Sequence, residues 1–200
     1  MVHDIATIPE FRVKFNDVFS LRNLYIMLHE LLLEENWRGA EGDSDHADIE
    51  TLYSENVYQR GIHHGGKELW FWWRASKFLE GKYSSYLVNK LDIDAHVVYL
   101  QTMEVVHQGK KMNVQKAEIE MFFRAKIVAD YEDKWQNHKF LKHIQHLYES
   151  RVLHAEIEKR EKELWRDAYR ISNKVKQYLQ LRTFVPVPEP FFPRTYGWEE

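Results

Sequence analysis

The chain has 200 residues, 44% of them hydrophobic and 30% charged, which is apolar material enough for the core of one domain with an attached arm. Its 28 Lys+Arg against 31 Asp+Glu leave a formal net charge of −3, so a global basic footprint for nucleic acid is absent. With no cysteine, a disulfide scaffold, thiolate-held zinc, a cysteine nucleophile and an iron–sulfur cluster are all excluded.

The first ten residues, Met1 to Glu10, have neither a basic n-region nor an apolar h-region and do not read as a secretory signal. The most apolar runs, Leu31–Leu33 and Leu69–Trp73, fall far short of the roughly 18 residues of a spanning helix. A soluble, cytoplasmic protein with no membrane partner is expected.

Phe11, Val13 and Phe15 alternate with Arg12, Lys14 and Asn16, the period of a short strand. Ser20 then offers a hydroxyl to cap a helix, and Leu21, Leu24, Tyr25, Leu28 and Leu32 recur at helical spacing. Gly39 is suited to the left-handed residue that ends this helix. Residues 40–50 are acidic and polar and read as a surface loop. Thr51–Arg60 reads as a strand, His63-His64-Gly65-Gly66 as a turn, and Lys67–Phe78 as the next strand. Leu69, Phe71 and Trp73 face one side of it and Trp70 and Trp72 the other, so both faces are apolar and the outer one calls for a cover or a partner.

Tyr83–Gln101 reads as a long strand, or two, with Leu87, Leu91, Ile93, Ala95, Val97 and Tyr99 on one face and Asp92, Asp94 and His96 on the other. Glu104–Val114 reads as a hairpin turning at Gly109. Glu118–Asp130 is the clearest strand, with Ile119, Met121, Phe123, Ala125 and Ile127 inward. From Trp135 the period becomes helical. Phe140, Leu141, Ile144, Leu147 and Tyr148 form one stripe, and Leu153, Ile157, Leu164, Ala168, Ile171, Val175 and Tyr178 continue it. A helix over 151–181 is expected, packing Leu164, Ile171 and Val175 on Ile119, Phe123 and Ile127. The remainder, 183–200, holds four of the five prolines and reads as an extended arm attached to a single domain over 1–182.

The fold class expected is therefore α+β: an antiparallel sheet carrying an N-terminal helix and a long C-terminal helix. This order of elements resembles that of helix-grip folds, the START-like or polyketide-cyclase-like class, in which a curved sheet wraps a C-terminal helix. The resemblance is one of order and implies no activity. The stretches Phe19–Trp37, Glu104–Lys116 and Ala129–Trp135 are also similar to segments of uncharacterised archaeal proteins of similar length, which again brings no activity.

Several constellations bear on chemistry. His143 and His146 are three apart on one helical face, flanked by His138 and His154, and with Glu149 make a candidate metal set. The chain lacks His-Glu-x-x-His and has no pair of Glu-x-x-His motifs, so a histidine-rich polar face is the better reading and no cofactor is expected. Asp43–Asp48 fails the calcium-loop pattern at Ala47 and Asp48. Asp92, Asp94 and His96 are acid–base groups with no nucleophile placed beside them, and phosphate-cradling and nucleophile-elbow motifs are missing. These points argue against an enzyme. Lys139, Lys142, His143 and His146 form a local basic run that acidic neighbours dilute, leaving nucleic acid a minor reading.

The aromatic excess, 14% of residues, weighs most because it concentrates at two places. Trp70 and Trp72 lie on the outer strand face, and Phe184, Phe191, Phe192, Tyr196 and Trp198 lie on the arm. The arm either folds over its own sheet or docks on a neighbouring chain. The leading expectation is a non-catalytic interaction or assembly module that binds another protein or its own copies. A binder of a hydrophobic small molecule or lipid, with a pocket between sheet and C-terminal helix, is the alternative. A metal-dependent enzyme using the helix histidines is the third.

Overall fold

A computed structural model describes residues 3–39, 49–60, 63–78, 85–107 and 110–181. The arm with Phe184, Phe191, Phe192, Tyr196 and Trp198, the acidic loop over 40–48 and the tip at Gly109 lie outside the described residues. The elements are β1 (His3–Phe19), α1 (Leu21–Glu34), β2 (Glu50–Arg60), β3 (His63–Phe78), β4 (Leu87–His107), β5 (Lys110–Ala129), α2 (Leu141–Leu147), a π-helical turn (Tyr148–Val152) and α3 (His154–Tyr178). The strands form one antiparallel sheet in the order β1-β5-β4-β3-β2, so the fold class is α+β. β1 closes on β5 although α1 and three strands separate them in sequence. The helices cover one face only.

The inward face is built by strict alternation. Leu69, Phe71, Trp73 and Ala75 of β3, Leu91, Ile93, Ala95 and Val97 of β4, and Ile119, Met121, Phe123, Ala125 and Ile127 of β5 are all buried. Against them α3 lays Leu164, Ala168, Ile171 and Val175, each essentially inaccessible. Each large side chain in this layer contributes on the order of 1.5–3 kcal/mol by leaving water. The expected partners Ile119, Phe123, Ile127, Leu164, Ile171 and Val175 belong to one buried cluster.

α1 begins as its sequence implies, with the Ser20 hydroxyl accepting from the Asn23 amide at 3.4 Å. Its end differs from the expectation. The helix stops at Glu34, and Asn36, three residues before Gly39, takes a left-handed conformation at φ 60°. Asparagine tolerates that region, and the early stop lets Trp37 bury completely while Arg38 pairs with Ser76 at the end of β3.

Three further expectations are corrected. His63-His64-Gly65-Gly66 is the beginning of β3, paired with β2 through Arg60↔His63 and Gln59↔His64. The strand, hairpin and strand read between 83 and 130 are two continuous strands, β4 and β5, of 21 and 20 residues. Their alternation breaks where register shifts occur between Val98 and Gln101 and, opposite on β3, between Lys67 and Leu69. Tyr99, at φ 57°, is thereby expelled from the inward face and is 73% exposed. Gly66 sits against this bulge, where a Cβ would come within 2.5 Å of the Tyr99 carbonyl carbon. Finally, α3 starts at His154 after the π-turn, and Phe140, Ile144 and Leu147 lie exposed instead of extending its buried stripe.

β1 is longer than the short strand expected, 17 residues, with a register shift between Ile8 and Phe11. Pro9 falls in that shift, on an edge strand, where its missing amide costs no ladder bond.

Candidate functional site

Three surfaces carry the features that the sequence singled out or concealed. The first is the outer face of the sheet, which no described element covers. Trp70 lies flat on His96, ring centroids 3.6 Å apart, and His96 Nε2 is 2.6 Å from the Glu68 carboxylate. Trp72 is 38% exposed, with the Arg74 guanidinium 5.7 Å from its ring centroid. Asp94 accepts from Arg74 Nη1 at 2.6 Å and also from Arg124, while Arg74 Nε stands 3.7 Å from Asp92. The two aspartates and the histidine are thus each committed to a cation, a carboxylate or a ring. This arrangement presents a flat, charge-neutralised face with one open indole. It does not present a free acid beside a free base.

The second surface was not legible in the sequence. β3 pairs with β4 only as far as Lys67↔Leu100, and β1 pairs with β5 only as far as Phe19↔Gln115. Beyond those points Met103–His107 and Val114–Lys110 pair with each other alone among the described residues. A two-stranded ribbon of this kind is marginal in water, and both its edges offer unpaired backbone donors and acceptors. It extends about 17 Å at roughly 3.4 Å per residue. Met103, Val105 and Val106 are all exposed, Val106 at 65%, and since 105 and 106 are successive they present apolar surface on both sides of the ribbon. The ion pair Glu104–Lys111, at 4.0 Å and fully in solvent, adds little.

The third is a groove of about 450 Å³ on the helix side of the sheet, between the first turn of α1 and strands β2, β3 and β4. Leu21, Tyr25, Tyr53, Leu69, Phe71 and Leu100 supply its apolar wall, with Arg22, Gln115 and the Glu55–Lys67 pair at its polar positions. The wall is held in place. Tyr25 donates its hydroxyl to Glu50, packs edge-on to Phe71 and Trp73, and Glu50 also accepts from Trp73 Nε1 at 3.3 Å. Gln115 Oε1 accepts from the Leu21 amide at 3.0 Å, fixing α1 to β5. Between the sheet and α3, Ile119, Phe123, Leu164, Ile171 and Val175 belong to the buried cluster.

The histidines of α2 point elsewhere. His143 and His146 are exposed, and among the described residues no group of three His, Cys, Asp or Glu is placed to hold a metal ion. Glu149, the third ligand of the sequence reading, accepts from the Tyr86 hydroxyl, from Gln145 Nε2 at 3.2 Å, and lies 3.1 Å from His3 Nε2. His138 spends its Nδ1 accepting the Phe140 and Leu141 amides, at 3.2 and 3.3 Å. Burial, and then the Glu149 carboxylate beside it, push the Tyr86 hydroxyl well above the ordinary tyrosine value. A tyrosine held neutral this way anchors the α2–α3 segment to β4. Asp130, buried at the start of that segment, accepts the Trp135 and Gln136 amides at 3.0 Å each.

No described helix is long and apolar enough to cross a membrane. Comparison with known proteins found no matching family model, no matching curated protein and no matching solved structure.

Proposed function

We propose that the chain is a non-catalytic assembly module that joins copies of itself. The observation that carries this reading is the projecting β4–β5 ribbon, with open edges, apolar side chains on both faces and no third strand among the described residues. Strand addition at such an edge supplies the missing backbone hydrogen bonds and removes Met103, Val105 and Val106 from water together. A net charge of −3 spread over 200 residues raises little repulsion between copies. The open outer face with Trp72, beside Trp70, is a second contact area of the same module, of the neutralised, aromatic kind that protein partners use. The ionisable groups of that face are mutually paired, which supports a binding role over acid–base catalysis.

Amide hydrogen exchange tests the ribbon. Protection at Met103–His107 should rise with protein concentration, while protection in β5 at Ile119–Ile127 stays constant. Ribbon amides that exchange fast at every concentration would defeat the proposal.

A second reading is favoured by the groove at α1. Its volume of about 450 Å³ and its aromatic wall suit a hydrophobic small molecule. Native mass spectrometry of the freshly purified chain should then show a bound mass that denaturation releases, and its absence counts against this reading.

A further inference from the structure

We propose that the groove between α1 and strands β2–β4 is the seat of the chain's own proline-rich arm, bound in cis. The argument starts where the described chain ends. Tyr178, at the last turn of α3, donates its hydroxyl to the Ser20 carbonyl at 2.9 Å, and Ser20 is the cap residue of α1. Leu181, three residues on, is still partly buried against the core. The chain therefore leaves the fold beside Leu21 and Arg22, two residues of the groove rim. It leaves on the helix side of the sheet. Trp70 and Trp72 are on the opposite face, and an arm bound there would first have to round the sheet edge.

The chemistry of the two surfaces matches. Val185-Pro186-Val187-Pro188-Glu189-Pro190-Phe191-Phe192-Pro193 is a polyproline-type sequence. Such segments bind in shallow grooves lined by aromatic rings, because their extended shape is pre-set and little entropy is lost on docking. The groove offers Tyr25, Tyr53 and Phe71. Tyr53 is 54% exposed, and the nearby Ile26 of α1 is exposed as well, so apolar surface remains for an occupant to cover. The charges also match. Lys67 at the rim is already neutralised by Glu55 at 2.5 Å, whereas Arg22 has no ion-pair partner among the described residues. Glu189 is the single acidic residue within the proline run. At about 3.1 Å per residue the prolines can reach roughly 15–37 Å from Leu181. A tether this short holds the arm at an effective concentration of order millimolar, which favours the same chain over a neighbour. An arm seated here occludes the groove, so any small molecule or external segment using it must compete with the chain itself.

The test uses the full chain with Tyr53→p-benzoyl-phenylalanine, and the same photoreactive residue at Ile26 in a second variant. An equal mixture of ¹⁴N- and ¹⁵N-labelled protein is irradiated and digested. The proposal expects cross-links from either position to peptides spanning 184–193, with both partners carrying the same isotope. Arg22→Glu should lower their yield several-fold, and the double variant Arg22→Glu/Glu189→Arg should restore it. Mixed-isotope pairs would overturn the cis seat, and cross-links that avoid the arm would overturn the occupant. A groove yield unmoved by Arg22→Glu would overturn the match of Arg22 with Glu189 on which the seat is assigned. Self-association through the ribbon is read separately, from the mass of the assembly, so failure of either idea leaves the other standing.

Discussion

Replacing Phe123 by alanine probes the centre of the molecule. Its ring is fully buried on β5, lies 5.4 Å from Phe11 of β1 in a stacked arrangement, and belongs to the cluster that α3 covers. A buried phenylalanine hides about 150–250 Å², of which alanine retains a minor part. Losing roughly 130 Å² at about 25 cal/mol per Å² costs about 3 kcal/mol. The cavity adds to this at about 24 cal/mol per Å³ of space left unfilled. β5 is hydrogen-bonded on both sides, to β1 and β4, so it has little freedom to move inward and close the gap. The total expected is about 3–5 kcal/mol. Glu120, three positions earlier on the outer face, is the control. Its alanine variant gives up the Arg12 ion pair at 2.9 Å, whose arginine is largely in solvent, and should cost at most about 1 kcal/mol. Urea melts monitored by circular dichroism should show the midpoint falling strongly for Phe123→Ala, at unchanged slope, and little for Glu120→Ala. Equal, small effects would refute the assignment of inward and outward faces on β5.

Two other perturbations address the bulge and the Tyr86 anchor. Gly66→Ala places a methyl within 2.5 Å of the Tyr99 backbone, so it should cost about 1–3 kcal/mol and shift the Tyr99 and Leu100 amide resonances; an unchanged spectrum would contradict the close approach. Tyr86 is held protonated in the fold above its ordinary 10.0, so the folded state keeps a proton that the unfolded chain releases. Stability from this group is intact below about pH 10 and falls above it, at a limiting slope of about 1.4 kcal/mol per pH unit. Tyr86→Phe should remove its share of the alkaline loss, leaving that of Tyr53, Tyr131 and Tyr178, which burial also raises; identical alkaline slopes in both proteins would contradict the assignment.

The parts of the fold that follow from local rules were readable in the sequence. The alternation of Glu118–Ile127, the Ser20 cap and the spacing of Leu164, Ala168, Ile171 and Val175 each mark an element whose buried face the structure reproduces. Features set by pairing between distant strands were not. Nothing local to Tyr99 signals that it leaves the inward face, because the cause is one extra residue of β4, which shifts its register against both β3 and β5 beside Gly66. His63-His64-Gly65-Gly66 has the composition of a turn, yet pairing of His63 and His64 with Arg60 and Gln59 of β2 makes it the start of a strand. The end of α1 depends on Trp37 finding its buried place. The ribbon is hidden for a similar reason. Its residues pattern as strand, and only the ladders reveal that β1 pairs no farther than Gln115 of β5 and β3 no farther than Leu100 of β4. The outward placement of Trp70 and Trp72 follows from the alternation, whereas the stacking of Trp70 on His96 is set by pairing between β3 and β4 that local sequence does not display.

Self-association through the ribbon is the central claim, and sedimentation velocity of the full chain over a concentration series tests it most directly. The chain mass is 24.2 kDa. The wild-type protein should sediment as a multiple of that mass, and a Val105→Lys/Val106→Lys variant should sediment as the monomer with an unchanged circular dichroism spectrum. A wild-type protein that remains a single 24.2 kDa species from micromolar to millimolar concentration would contradict the account.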